Sequence, residues 1–208
     1  MGYGVDTQLI SKIDTRKIEQ LVYNNPSALK ADVYTTVDGK VKIEIKQRKP
    51  VLRVFNDSGE SFYIDEQGWL MPLSAKFTSR VLVANGFIEV AYSGRYKNTV
   101  LDEKKVLIHE KDTGRTDILS DLFLLTKYIN ESYFWNAQIT QLFVNADKEI
   151  ELIPRVGNHT ILFGDISDMD EKFEKLMIFY KKGLTKVGWN TYSQINLKFK
   201  NQVVCRKN

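Results

Sequence analysis

The chain is 208 residues long and has one cysteine, two histidines and no long apolar run. A single thiol, Cys205, excludes an internal disulfide and leaves the redox compartment open. His109 and His159 are far apart in sequence, and neither has a second His or Cys at metal-ligand spacing, so no metal site is expected. Both read as surface or strand-end histidines. Cys205 follows Val204 in an alternating run, which suits an apolar thiol in a strand better than a nucleophile. No glycine-rich loop follows a strand and opens a helix, so the usual phosphate cradle is missing. No window approaches the roughly 20 apolar residues of a membrane helix, and the N-terminus shows no basic-then-apolar signal. Taken alone, these absences point to a soluble cytoplasmic protein. The start Met1-Gly2-Tyr3-Gly4 equally suits an expression scar on a trimmed ectodomain.

Charge excludes further classes. Thirty basic residues face 26 acidic ones, the net charge is only +4, and the basic residues read as scattered among acidic ones, so nothing argues for nucleic acid. The carboxylate pairs Asp65-Glu66 and Asp102-Glu103 fall in loops, where solvated charge is the default. Tyr133, Phe134 and Trp135 lack a flanking basic stripe, so core packing is expected rather than a stacking platform. No catalytic residue, cofactor or metal ligand emerges.

What is present is organised around Val41 to Phe55. Val41, Ile43 and Ile45 alternate with Lys42, Glu44 and Lys46, the period-2 pattern of a strand with one buried face. Pro50, which cannot donate to a sheet ladder, then interrupts, and apolar alternation resumes through Val51, Leu52, Val54 and Phe55. Two strands meeting almost end to end at a proline mark a domain junction near Pro50. Upstream, Asp38-Gly39 signals a hairpin. A loop of Val37-Asp38-Gly39 with left-handed Gly39 sets Thr35, Val33 and Ala31 opposite Val41, Ile43 and Ile45. That register gathers the β-branched residues on one face, and a one-residue slip would scatter them.

Asp14-Thr15 reads as a helix start and Asn25-Pro26 as its stop. After Phe55 the pattern is mainly β: strands at 62–64, 69–71 and 81–83, then a long, polar, poorly periodic connection over 91–114. A helix capped by Asp117 carries Ile118, Leu122, Leu125 and Ile129 on one stripe. Strands follow at 139–143, 149–153 and 160–163. A helix opened by Ser167-Asp168-Met169-Asp170 buries Met169, Phe173, Leu176, Tyr180 and Leu184, and Gly183 helps to end it. The chain closes on a hairpin of Ile195–Phe199 and Gln202–Cys205, with Ile195, Leu197 and Phe199 turned to the core. The fold class expected is α+β: a helix-hairpin unit, then a larger, mainly antiparallel β domain with two flanking helices.

The helix stopped at Asn25-Pro26, the hairpin, and Ile45-Lys46-Gln47-Arg48-Lys49-Pro50-Val51-Leu52-Arg53 resemble the end of a POTRA domain in the bacterial cell-division family FtsQ/DivIB. That family's β domain is matched by Tyr63-Ile64-Asp65-Glu66-Gln67-Gly68, Met71-Pro72-Leu73-Ser74, Leu162-Phe163-Gly164 with the Lys172-Phe173 helix, and Ile195 to Val204. The resemblance implies a partial POTRA domain over 1–50, without its first strand and helix, and a β domain over 51–208. It implies a non-enzymatic periplasmic scaffold held at the inner membrane by an N-terminal helix outside this chain, which replaces the cytoplasmic reading. It also implies FtsB/FtsL-like division partners. These would add a strand at the C-terminal edge, over Phe199, Lys200, Asn201, Gln202, Val203, Val204 and Cys205. Two other readings stand beside it: an enzyme or ligand-binding domain using a cleft, and a POTRA-containing outer-membrane assembly factor.

Overall fold

A computed structural model describes residues 13–90, 92 and 117–208, and its first element is a helix, α1 (Thr15–Tyr23). Asp14 caps it by accepting a hydrogen bond from the Lys17 amide at 3.1 Å. It ends at Asn24, just before Asn25-Pro26, where the α conformation is disfavoured. Strands β1 (Ala28–Thr35) and β2 (Val41–Gln47) form an antiparallel pair with Thr35 opposite Val41, Val33 opposite Ile43 and Ala31 opposite Ile45. This is the register that the side-chain pattern calls for. Thr36 and Lys40 close the ladder, leaving Val37-Asp38-Gly39 as the loop, with Gly39 at φ 81°. Glu19 of α1 accepts the Val33 amide hydrogen at 3.1 Å, which ties the helix to β1. Ala31 and Val33 are buried, whereas Ile43 and Ile45 on the same face are about half exposed.

The chain divides into two units, residues 1–49 and 50–208. The second holds a nine-stranded sheet that does not include β2. Its first strands are β3 (Pro50–Phe55), β4 (Ser61–Asp65), β5 (Leu70–Met71) and β6 (Leu82–Gly86). Helices α2 (Ile118–Glu131) and α3 (Tyr133–Gln138) come next. Then follow β7 (Ile139–Val144), β8 (Ile150–Pro154) and β9 (Thr160–Gly164). Helix α4 (Met169–Phe179) runs through a π-helical turn, Tyr180–Leu184, into a last short turn, α5 (Thr185–Val187). Strands β10 (Tyr192–Asn196) and β11 (Val204–Lys207) complete the sheet.

The strand order is β11-β10-β9-β8-β7-β6-β3-β4-β5. The contacts β3–β6, β6–β7 and β9–β10 are parallel and the rest antiparallel, so the sheet is mainly antiparallel. Gly86 permits the close β6–β7 approach: a Cβ there would sit 2.1 Å from the Val144 carbonyl oxygen. One hydrophobic cluster fills the unit, from Leu52 and Phe62 through Leu122, Leu125 and Ile129 to Phe173, Leu176 and Ile195. Each such side chain taken from water stabilises the fold by about 1.5–3 kcal/mol before entropy is counted.

The structure changes several expectations. Helix α3 stands where only a packed aromatic run is expected, and it splits that run: Trp135 is buried, Phe134 partly so, and Tyr133 is 95% exposed. Asp117 and Asp168 occupy N-cap positions without side-chain capping bonds. Gly183 lies inside the π turn, and the helical run ends at Gly188, whose φ is 94°. His159 is buried rather than superficial. His109, and the connection at 91–114 apart from Tyr92, lie outside the described residues.

Candidate functional site

The C-terminal hairpin forms one edge of the large sheet, with β10 between β9 and β11. Ile195 and Leu197 are fully buried as expected, but Phe199 is 45% exposed. The core-facing alternation therefore stops two residues earlier than the sequence pattern suggests. The cause is local. The Leu197 amide still reaches the Leu162 carbonyl at 3.0 Å, extending the β9 ladder. The Asn196 side chain then accepts the Lys198 amide hydrogen at 2.9 Å and turns the chain. Lys175 of α4 donates to the carbonyls of Leu197 (3.2 Å) and Phe199 (2.8 Å), drawing the backbone toward the helix. Asn201 makes the return in left-handed conformation at φ 58°.

Consequently Phe199, Lys200 and Asn201 sit in the connection and Gln202 and Val203 lead out of it, while Val204 and Cys205 open β11. Asn196 faces Val204, and Ile195 faces Cys205. The Cys205 thiol is half-buried against the core, and burial pushes its pKa up. Val204, Arg206 and Lys207 are exposed. Among the described residues, β11 pairs on one side only.

Whole-chain charge conceals the character of this region. From Lys175 to Asn208 there are eight basic residues and no acidic one, leaving 22 basic against 26 acidic in the rest of the chain. The basic residues are therefore not interspersed with acidic ones here, and a local count along the sequence would have shown it. Lys175 is spent on carbonyls, and Lys198 pairs with Glu149 at 2.9 Å. Lys181, Lys182, Lys186, Lys200, Arg206 and Lys207 are exposed, with no side-chain hydrogen bond or ion pair among the described residues.

Two hollows belong to the larger unit. One, of about 240 Å3, lies beside the hairpin and is lined by Glu149, Asp165, Lys172 and Lys198 among others. Four of its charges are tied in two pairs, Lys172 with Asp165 and Lys198 with Glu149. Buried Lys172 donates to the Asp165 carboxylate at 3.0 Å and to its carbonyl at 2.8 Å. Burial would raise the Asp165 pKa, but the hydrogen bonds from Ser167 and Lys172 outweigh that and hold it below the usual carboxylate range. The other, of about 390 Å3, is lined by Arg80, Asn130, Asn136, Thr140 and Arg155 around the starts of β3, β6 and β7. Neither His159 nor Cys205 lines either hollow. His159 meets the Tyr180 hydroxyl at 2.9 Å within a cluster of aromatic rings. No group of three or more His, Cys, Asp or Glu suited to a metal occurs among the described residues.

A helix-and-hairpin unit followed by a larger, mainly antiparallel sheet with further helices makes this an α+β protein. Comparison with known families agrees with the architecture: residues 5–46 match the POTRA-like domain, and residues 49–206 match the family described as FtsQ/DivIB, C-terminal related. The chain belongs to the FtsQ/DivIB-related family. Membership ties it to bacterial cell division and to a family that is non-enzymatic. No protein with a curated description matches the chain. Among the described residues, no helix is long and apolar enough to cross a membrane.

Proposed function

We propose that this chain is a periplasmic scaffold of the bacterial division machinery that takes FtsB/FtsL-type partners by strand addition along β11. Residues 1–50 serve as a POTRA part and 51–208 as the β domain, with Phe199 to Cys205 in the docking stretch. A membrane helix preceding this segment in the full-length protein anchors it to the inner membrane. The observation that carries the reading is the outer side of β11, unpaired among the described residues, at the end of a well-packed sheet. Unpaired backbone groups on an edge template another strand, and an edge kept open is a hazard unless a partner covers it.

Amide hydrogen exchange on the chain, with and without a periplasmic FtsB-type segment, tests this. Binding should slow exchange across Val204–Lys207. A segment that binds while leaving those amides unchanged would show that docking occurs elsewhere.

A further inference from the structure

We infer that the segment added at β11 is acidic, and that the exposed cations around this edge select it. This rests on the strand-addition reading and goes beyond it by naming the chemistry of the partner. Arg206 and Lys207 project from the edge strand itself, and Lys200 stands in the connection just before it. Helix α4 and the π turn lie against the same hairpin: the Phe179 ring is 5.8 Å from that of Tyr192, the residue paired with Lys207. Lys175 also bonds to the hairpin's carbonyls. Lys181 and Lys182 follow Tyr180 in that turn, and Lys186 comes one turn later.

Arg206 and Lys207 on the edge strand and Lys200 just before it are thus exposed cations with no ion pair among the described residues, and no acidic residue lies between Lys175 and Asn208 in sequence. Lysine on an edge is a common guard against pairing with another copy of the same chain, and it does that here by like-charge repulsion. The same arrangement favours a strand bearing Asp or Glu, because opposite charges facing across neighbouring strands attract. A polypeptide occupant suits the geometry better than a membrane surface. Arg206 and Lys207 point from consecutive positions of one strand, and alternation sends them to opposite faces of the sheet. A chain lying along the edge meets both, whereas a flat anionic surface meets one face.

The test uses the whole chain and two extended peptides with the same alternating valines, one carrying glutamate and the other glutamine between them. The glutamate peptide should bind about tenfold more tightly at low salt, and the gap should close as salt screens exposed pairs. A variant with Lys200→Glu, Arg206→Glu and Lys207→Glu should reverse the preference toward a lysine peptide. The single change Arg206→Gln, checked by circular dichroism, should give a smaller loss if the triple variant misfolds. Equal binding of both peptides with slowed exchange in β11 would overturn the charge selection while strand addition stands. Unchanged exchange in β11 with every peptide would remove strand addition, and the present inference with it. Binding to phosphatidylglycerol vesicles that Lys181→Glu, Lys182→Glu and Lys186→Glu abolish, without any preference for the glutamate peptide, would overturn it in favour of a lipid surface.

Discussion

The two edges of the nine-stranded sheet are finished in opposite ways. At one end, β5 has two residues, both buried, and Pro72 follows at once with no amide hydrogen to offer. The chain beyond is strapped back by a bond from the Ser79 amide to the Tyr63 hydroxyl at 3.2 Å. At the other end, β11 has four residues, no proline and three exposed side chains, two of them the cations Arg206 and Lys207. A short strand with a proline closes an edge to every partner, whereas charge of one sign closes it only to some. The difference separates an edge that is merely terminated from one that, on the proposed reading, discriminates.

The sharpest way to probe the open edge is to ask where the core ends. Leu197→Ala should cost about 2–5 kcal/mol, because the side chain is fully buried and leaves a cavity. Phe199→Ala, two residues on and half exposed, should cost under about 1 kcal/mol. Urea denaturation of the two variants measures this, and similar losses would place Phe199 in the core after all.

The next effect is on binding. Val204→Pro removes a backbone donor from the edge strand and disturbs its ladder, so partner affinity should fall by about a hundredfold. Leu73→Pro, beside the closed edge, should leave affinity unchanged, since that edge takes no strand. Titration calorimetry with the same partner segment compares them. Equal losses would mean that the edges do not differ in function. Smaller still, Tyr180→Phe should destabilise the fold by about 1–3 kcal/mol by leaving the buried His159 nitrogen without its hydroxyl partner. Thermal or urea unfolding reads this out, and a neutral result would mean that the 2.9 Å contact carries no weight.

Much of this contrast can be read in the sequence, and the remainder fails for identifiable reasons. The β1–β2 register follows from period 2 and one left-handed glycine, both local. The long helices follow from their stripes, since Leu122, Leu125 and Ile129 all reach the core. The length of the terminal loop does not follow, because Phe199 continues an apolar alternation that Lys175, remote in sequence, interrupts through two carbonyls. Helix α3 is too short for a period to establish it, and it rests on the Ser132 cap and the burial of Trp135. The parallel neighbours β3–β6–β7 depend on tertiary pairing that no local pattern encodes. The basic character of the C-terminal region is legible, but only in a local count, because a slightly acidic remainder offsets half of it in the whole-chain charge.

The smallest predicted effect concerns pH and again separates the two edges. His159 is buried beside Tyr180, the first residue of the π turn that also holds Lys181 and Lys182. Burial lowers the imidazole pKa below its ordinary 6.5, and the Trp189 backbone only partly offsets this. Burial also raises the Tyr180 hydroxyl, which stays protonated and shares a hydrogen bond with the neutral ring. Below pH 6.5 the unfolded chain therefore takes up a proton that the folded ring resists. The contribution of His159 to stability is complete above that pH and declines as pH falls toward the depressed folded value, with a slope of at most about 1.4 kcal/mol per pH unit for one proton. His159→Gln, which can still hydrogen-bond to the Tyr180 hydroxyl but cannot titrate, should flatten this part of the stability–pH curve even if it lowers the whole curve. The strap over residues 72–81 contains no histidine, so amides near β5 should keep their protection through the same pH range once intrinsic exchange rates are corrected. Those of the π turn should lose some of theirs. Parallel stability curves for the two proteins between pH 7.5 and pH 5 would show that His159 does not couple protonation to this side of the sheet.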